Sequence, residues 1–186
     1  MTELPSEMGN SSETEGPEKS QHSFAVAFLG LGANLGEPAS TLKQACREIA
    51  AQSGISDVRS ASLYSSAPVN APGPYYTNTV VQLHTTLSPL NLLERMQSIE
   101  KAFGRQRNAL DERNAPRTLD IDLLWFDDVS IEVPRLTLPH PRMHQRAFVL
   151  MPLEELAGSS FILLGRPLSE WLQDCRDQAC TVLAPT

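Results

Sequence analysis

The chain has 186 residues, 41% hydrophobic and 20% charged, which suits one domain with a substantial core. No apolar run nears the roughly 20 residues of a membrane span, and a net charge of −7 argues against a nonspecific nucleic-acid coat. Three cysteines without metal-type or redox-type spacing make a poor disulfide framework, so a reducing cytoplasm is the expected setting.

Residues 1–22 are rich in Glu, Ser, Pro and Gly and set five acids against the one base Lys19. With almost nothing apolar to offset the entropy of ordering, they are expected to form a disordered acidic tail, with a single domain over 23–186. The run "SFAVAFLGLG" predicts a central strand ending in glycines, and Pro38 opens a helix that stops near Gly54. "ISDVRSASLYSS" and "YTNTVVQLHTTL", separated by the turn "NAPGP", predict a long-looped hairpin.

Ser88 is placed to cap a second helix, with Pro89 in its first turn and Leu92, Met96, Ile99 and Phe103 at helical spacing before Gly104. Gln97 and Glu100 share one face of that helix. The polar run from Arg105 to Arg117 predicts a long functional loop, followed by the strand "LDIDLLWF" and a short strand near Val129 to Glu132. "QRAFVLMPLEELA" and "PLSEWLQDC" predict C-terminal helices. The order strand, helix, strand, strand, helix, strand implies an α+β class. The expected architecture is a ferredoxin-like antiparallel sheet with both helices on one face, extended by C-terminal helices and long active-site loops.

Residues two apart in a strand share a face, so Asp120 and Asp122 stand together while Leu119, Ile121 and Leu123 turn to the core. Carboxylates about 6 to 7 Å apart repel by about 2.5 kcal/mol at an effective dielectric near 20. Either a divalent cation offsets that repulsion, or the aspartates pair with arginines on an exposed face. "GLGANLG" lacks the third glycine of a dinucleotide fingerprint, because Leu35 occupies its place, and is read as a turn that lets the strand leave the sheet.

Twelve of the 15 basic residues are arginines, a bias that suits bidentate anion binding, although genome composition would give the same bias. Arg135, His140, Arg142, His144 and Arg146, with Arg105, Arg107, Arg113 and Arg117, have the makings of a polyphosphate clamp. Tyr75, Tyr76 and Phe148 are either core aromatics or a stacking site for a flat heterocycle, with Asn78 offering donor and acceptor to a ring edge.

"GLGANLGEP", "YTNTVVQL", "RNAPRTLDIDLLWF" and "RLTLPHPRMHQRAFVLMPL", in that order and at these separations, resemble the 6-hydroxymethyl-7,8-dihydropterin pyrophosphokinases of folate biosynthesis over residues 23 to 172. The resemblance implies transfer of diphosphate from ATP to the hydroxymethyl oxygen of 6-hydroxymethyl-7,8-dihydropterin, with two Mg²⁺ ions and release of AMP. It implies Asp120 and Asp122 as metal ligands, and Arg105 and Arg107 as catalytic loop arginines. The nucleotide positions are Gln97, Glu100, Arg117, Leu123, Arg135, Leu136, Thr137, His140 and Arg146. The pterin positions are Ser66, Ala67, Pro68, Val69, Tyr76, Asn78, Asp120 and Phe148, with Tyr76 and Phe148 as the stacking rings. A cytoplasmic monomer without nucleic-acid or membrane partners is expected. Asn114 stands where some members carry a loop tryptophan, and Pro141 where others have a tyrosine.

Two other classes fit the same carboxylates less fully. A two-metal phosphatase or nuclease would need no pterin. A noncatalytic RNA-binding module of ferredoxin type would show exposed strand aromatics and a basic sheet, which the acidic balance disfavours.

Overall fold

The computed structural model describes residues 24–68, 73–105 and 117–184; the expected acidic tail lies outside them, as does nearly all of the loop before Arg117. Strand β1 (Ala25–Ala33) is followed by helix α1 (Pro38–Ala50), whose first turn takes Pro38, and Gly54 at φ +82° turns the chain back into the sheet. Strands β2 (Ile55–Ser60), β3 (Tyr64–Ser66) and β4 (Tyr76–Thr85) come next, then α2 (Pro89–Ala102), where the Ser88 side chain accepts the Asn91 N–H as a cap. Strand β5 (Asp120–Phe126) carries the paired aspartates.

The hairpin β6 (Ile131–Val133) and β7 (Leu136–Leu138) follows, with α3 (Ala147–Ala157) beyond it. The chain then forms the small hairpin of β8 (Ile162–Leu163) and β9 (Arg166–Pro167), the short helix α4 (Leu168–Asp174) and β10 (Cys180–Val182). The main sheet runs β10-β3-β4-β1-β5, with β2 also beside β4, and all of its pairings are antiparallel. This is the ferredoxin-like order with one strand added at an edge.

The single strand expected over 55–66 is two strands, because both β2 and β3 pair with the long β4 and the chain steps between them, held by the Ala61 N–H to Val80 carbonyl bond of 2.9 Å. Strands β7 and β10 are three residues each, too short to give a periodic signal.

Leu42, Ala45 and Ile49 of α1 and Leu92, Met96 and Ile99 of α2 bury one face of the sheet against Leu29, Leu31, Leu83 and Ile121. The other face is covered by α3, whose Ala147, Val149, Leu150 and Leu153 pack on Phe28, Val80 and Leu124. The sheet is therefore the middle of three layers. Strand β1 is buried on both sides, which explains why it reads as a continuous apolar run rather than an alternating one. Among the described residues no helix is long and apolar enough to cross a membrane.

Candidate active site

The register of β4, β1 and β5 places Asn78, Gly32 and Asp120 in one row, and Val80, Gly30 and Asp122 in the next. Directly opposed residues share a face, so the two glycines leave bare backbone between the β4 side chains and the aspartates. A Cβ on Gly32 would stand 3.0 Å from the Asn78 Oδ1. Leu119, Ile121 and Leu123 turn into the α1 and α2 core, as the period of two requires, and the aspartates look toward the α3 side. A bulge at Phe28 and Leu29 reverses the alternation further along: Trp125 joins the α3 core and Phe126 the opposite one. The aspartates thus occupy the end of a strand whose remainder is fully packed.

Asp120 is held by two arginines. Its Oδ1 accepts from Arg105 Nη1, and its Oδ2 accepts from Arg117 Nη1 at 2.7 Å. Arg105 also pairs with Glu100, a carboxylate only 1% exposed that accepts the Ile121 N–H at 2.8 Å, the amide between the two aspartates. Gly104 at φ +82° ends α2 so that Arg105 can fold back over its last turn. Burial works to lower the Arg105 pKa, yet Asp120, Glu100 and Asp122 outweigh it and hold the guanidinium above its ordinary value. Arg117 is fixed by its backbone: its N–H donates to Asn34 Oδ1 at 2.8 Å, and its carbonyl accepts the Asn34 N–H at 3.2 Å.

Asp122 has no ion-pair or hydrogen-bond partner among the described residues, and its pKa is pushed up to about 6 by burial and then by Asp120, against the pull of Arg146. Of the two sequence expectations, the structure carries the arginine pairing, and at one aspartate only. Asp120 is salt-bridged to arginines, and Asp122 is a half-buried carboxylate without such a pairing. No group of three or more His, Cys, Asp or Glu among the described residues is arranged to hold a metal ion, so a cation here would need oxygens from a ligand.

The β7–α3 connection brings further cationic groups to this face. Arg146 feels the field of Asp122 and Asp120, and its pKa is lowered by burial and by Arg142. Its guanidinium stands 5.5 Å from the centre of the Phe148 ring. Burial, then Arg146 and Arg142, pushes His140 down to about 4, leaving it neutral at pH 7. The His140 Nδ1 accepts the Arg142 N–H at 3.2 Å, so the ring proton sits on Nε2.

On the other flank, buried Asn78 donates its amide to Ser66 Oγ at 2.9 Å, and Tyr76 pairs with Ser66 across β3 and β4. Ala67 and Pro68 follow half-buried; Val69 and Arg107 lie outside the described residues. Tyr75 is 63% exposed and belongs to no core cluster.

The expected nucleotide positions are more scattered. Gln97 is half-buried on α2, and Thr137 is exposed on β7. Leu123 and Leu136 bury their side chains in the α1 and α2 core, and Arg135 pairs with Glu94 of α2 at 3.0 Å. Asn34 and Gly32 join the site without having been singled out as site residues, and Arg142 comes from the expected arginine cluster. The signal for the first two was "GLGANLG", which is not the expected turn: Gly30 and Gly32 stay in β1 between β4 and β5, and the chain leaves the sheet only beyond Ala33, where Asn34 presents its side-chain oxygen to the Arg117 N–H.

Comparison with known proteins gives the family. The sequence model of the family described as 7,8-dihydro-6-hydroxymethylpterin-pyrophosphokinase (HPPK) matches residues 28–158. A 2-amino-4-hydroxy-6-hydroxymethyldihydropteridine pyrophosphokinase of Haemophilus influenzae is 36% identical over 161 residues, covering 86% of this chain and 99% of that one. The corresponding protein of a Synechocystis strain is 44% identical over 131 residues, 70% of this chain and 66% of its own length. Among solved structures, Plasmodium falciparum wild-type HPPK-DHPS with pterin and p-hydroxybenzoate aligns at a TM-score of 0.62 and 14% identity, over 83% of this chain. The present chain spans 43% of that longer protein, which supports the fold alone. With a family match over most of its length and the Haemophilus influenzae relative covered almost end to end, the chain belongs to the HPPK family of pyrophosphokinases.

Proposed function

We infer that the chain transfers diphosphate from ATP to the hydroxymethyl oxygen of 6-hydroxymethyl-7,8-dihydropterin, and that the side chains described above divide that work. Pyrophosphokinase activity in folate biosynthesis follows from family membership; the division of labour is the proposal. The observation that carries it is the row joining Asn78, Gly32 and Asp120, which sets a buried amide suited to a heterocycle edge beside an acidic and arginine-rich cluster suited to polyphosphate.

In this reading Tyr76 and Phe148 stack the pterin, while Asn78 and Ser66, with Ala67, Pro68 and Val69, face its edge. Arg105, Arg107, Arg117 and Arg146 hold the phosphates, and neutral His140 donates from Nε2 to a phosphate oxygen. Gln97, Arg135 and Thr137 serve the nucleotide, Leu123 and Leu136 through their main chain because their side chains are in the core. Glu100 is the exception: being buried and engaged, it acts from beneath by holding Arg105 and the strand.

The donor set fits Mg²⁺, since Asp122 is a carboxylate without a partner among the described residues and Asp120 shares its face. Two bound ions held by Asp120, Asp122 and ATP oxygens would supply neutralisation of phosphate charge. The pterin oxygen attacks the β-phosphorus, the bond from that phosphorus to the oxygen it shares with the α-phosphate breaks, AMP leaves, and the hydroxyl proton passes to solvent. A primary alcohol held in line needs alignment more than a strong base.

We take the protein to act as a cytoplasmic monomer; its net charge of −7 offers no support for a nucleic-acid partner. Incubation with ATP, Mg²⁺ and 6-hydroxymethyl-7,8-dihydropterin tests the reaction: AMP should form only when all three are present. Release of inorganic phosphate without pterin would favour a phosphatase instead.

A further inference from the structure

Arg146 is the residue before α3, and its own side chain makes no cap for that helix. The cap comes from Gln178, 31 residues beyond Ala147. Gln178 Oε1 accepts the Ala147 N–H at 2.9 Å, and Gln178 Nε2 donates to the Gln145 carbonyl at 2.8 Å. One amide therefore closes on the peptide groups that flank Arg146 on both sides, and Arg146 holds an extended backbone with φ −131° and ψ 108°.

The segment carrying Gln178 is anchored at both ends. The Gln178 N–H donates to the Cys175 carbonyl at 3.0 Å, and Cys175 Sγ contacts the His144 carbonyl at 3.8 Å. Two residues beyond Gln178, Cys180 pairs with Ser66 in the sheet. The stretch from Cys175 to Cys180 thus spans the two flanks of the site, from the start of α3 to β3.

We propose that Gln178 is a positioning residue: its amide fixes the backbone of Arg146 and so aims the guanidinium over Phe148 and toward Asp122. The proposal rests on the roles inferred above for Arg146 and Phe148. Gln178 is itself exposed, so its loss opens no cavity and its effect is one of orientation rather than packing.

The full chain is compared with Gln178→Met, which keeps the length but loses both hydrogen bonds, and with Gln178→Glu, which keeps an oxygen for the Ala147 N–H. The readouts are kcat and dihydropterin KM with ATP saturating, hydrogen exchange at the Ala147 amide, and the thermal midpoint. In Gln178→Met, Ala147 exchanges faster, and kcat over dihydropterin KM falls about five- to tenfold, the worth of about one hydrogen bond. Gln178→Glu recovers most of that loss. Unchanged exchange in Gln178→Met would overturn the proposal, as would faster exchange with unchanged kcat and KM, or equal impairment of both variants. A wild-type chain that forms no AMP from ATP and the dihydropterin would instead sink the underlying functional reading before any variant is compared, and the proposal with it.

Discussion

Asp120 and Asp122 share a face of β5, yet Asp120 is gripped by Arg105 and Arg117 while Asp122 has no ion-pair partner among the described residues. Neutralising them should therefore move stability in opposite directions. Asp120→Asn leaves two partly buried arginines short of an anion and is expected to cost about 1–3 kcal/mol. Asp122→Asn removes a half-buried charge and its repulsion from Asp120, and should raise the thermal midpoint at pH 7. Both should lower turnover at least about a hundredfold, since both remove a charge facing the phosphates. Chemical denaturation of the two variants checks the asymmetry; equal destabilisation would contradict it.

His140 and Asp122 titrate over nearly the same range with opposite effects. The folded value of His140, about 4 against an ordinary 6.5, means the unfolded chain takes that proton first. The stability it contributes is complete above about pH 6.5 and lost as pH falls toward 4. Asp122, at about 6 against 3.8, keeps its proton longer in the folded chain, so stability falls as pH rises from about 4 to 6. Each slope is at most about 1.4 kcal/mol per pH unit, and together they nearly cancel. Asp122→Asn should expose the rising limb and His140→Gln the falling one in denaturation profiles between pH 4 and 6.5. Parallel profiles for wild type and both variants would reject these assignments.

Gly32 lies so close to Asn78 that an added Cβ forces the amide to shift by a few tenths of an ångström. That amide is also the donor to Ser66. Gly32→Ala is therefore expected to raise the dihydropterin KM about tenfold through a misplaced hydrogen-bonding group. The ATP KM and the thermal midpoint should change little. Steady-state kinetics with each substrate varied separates these effects, and a change confined to ATP would place the row elsewhere.

The side-chain period of a strand made Asp120, Asp122 and the core-facing Leu119, Ile121 and Leu123 legible in the sequence, because that inference needs only neighbours along the chain. The order of strands and helices through β5 was legible for the same reason, except that the second strand divides into β2 and β3. The closing of the second sheet face by α3 was not, since an apolar helix does not say which surface it covers. Nor was the sorting of the two aspartates, which depends on Arg105 returning from the end of α2, or the bulge that puts Leu124 and Trp125 in the same core. Gln178 reaches back 31 residues to a main-chain amide, a contact with no sequence signature. Contacts made by side chains to distant backbone escape pattern reading for this reason.

Glu100 offers the sharpest separation between holding the site and touching the nucleotide. Its carboxylate is 1% exposed, accepts the Ile121 N–H and pairs with Arg105, so one buried anion sets both the strand between the aspartates and the first loop arginine. Glu100→Gln keeps an oxygen for Ile121 but removes the charge that Arg105 shares between Glu100 and Asp120. The expected result is a stability loss of about 1–3 kcal/mol and a fall in kcat of about tenfold, with the ATP KM changed less than about threefold. The reason is that Arg105 loses its second anchor while no group facing the nucleotide is altered. A large rise in ATP KM with kcat preserved would identify Glu100 as a direct nucleotide ligand and move it from beneath the site into it.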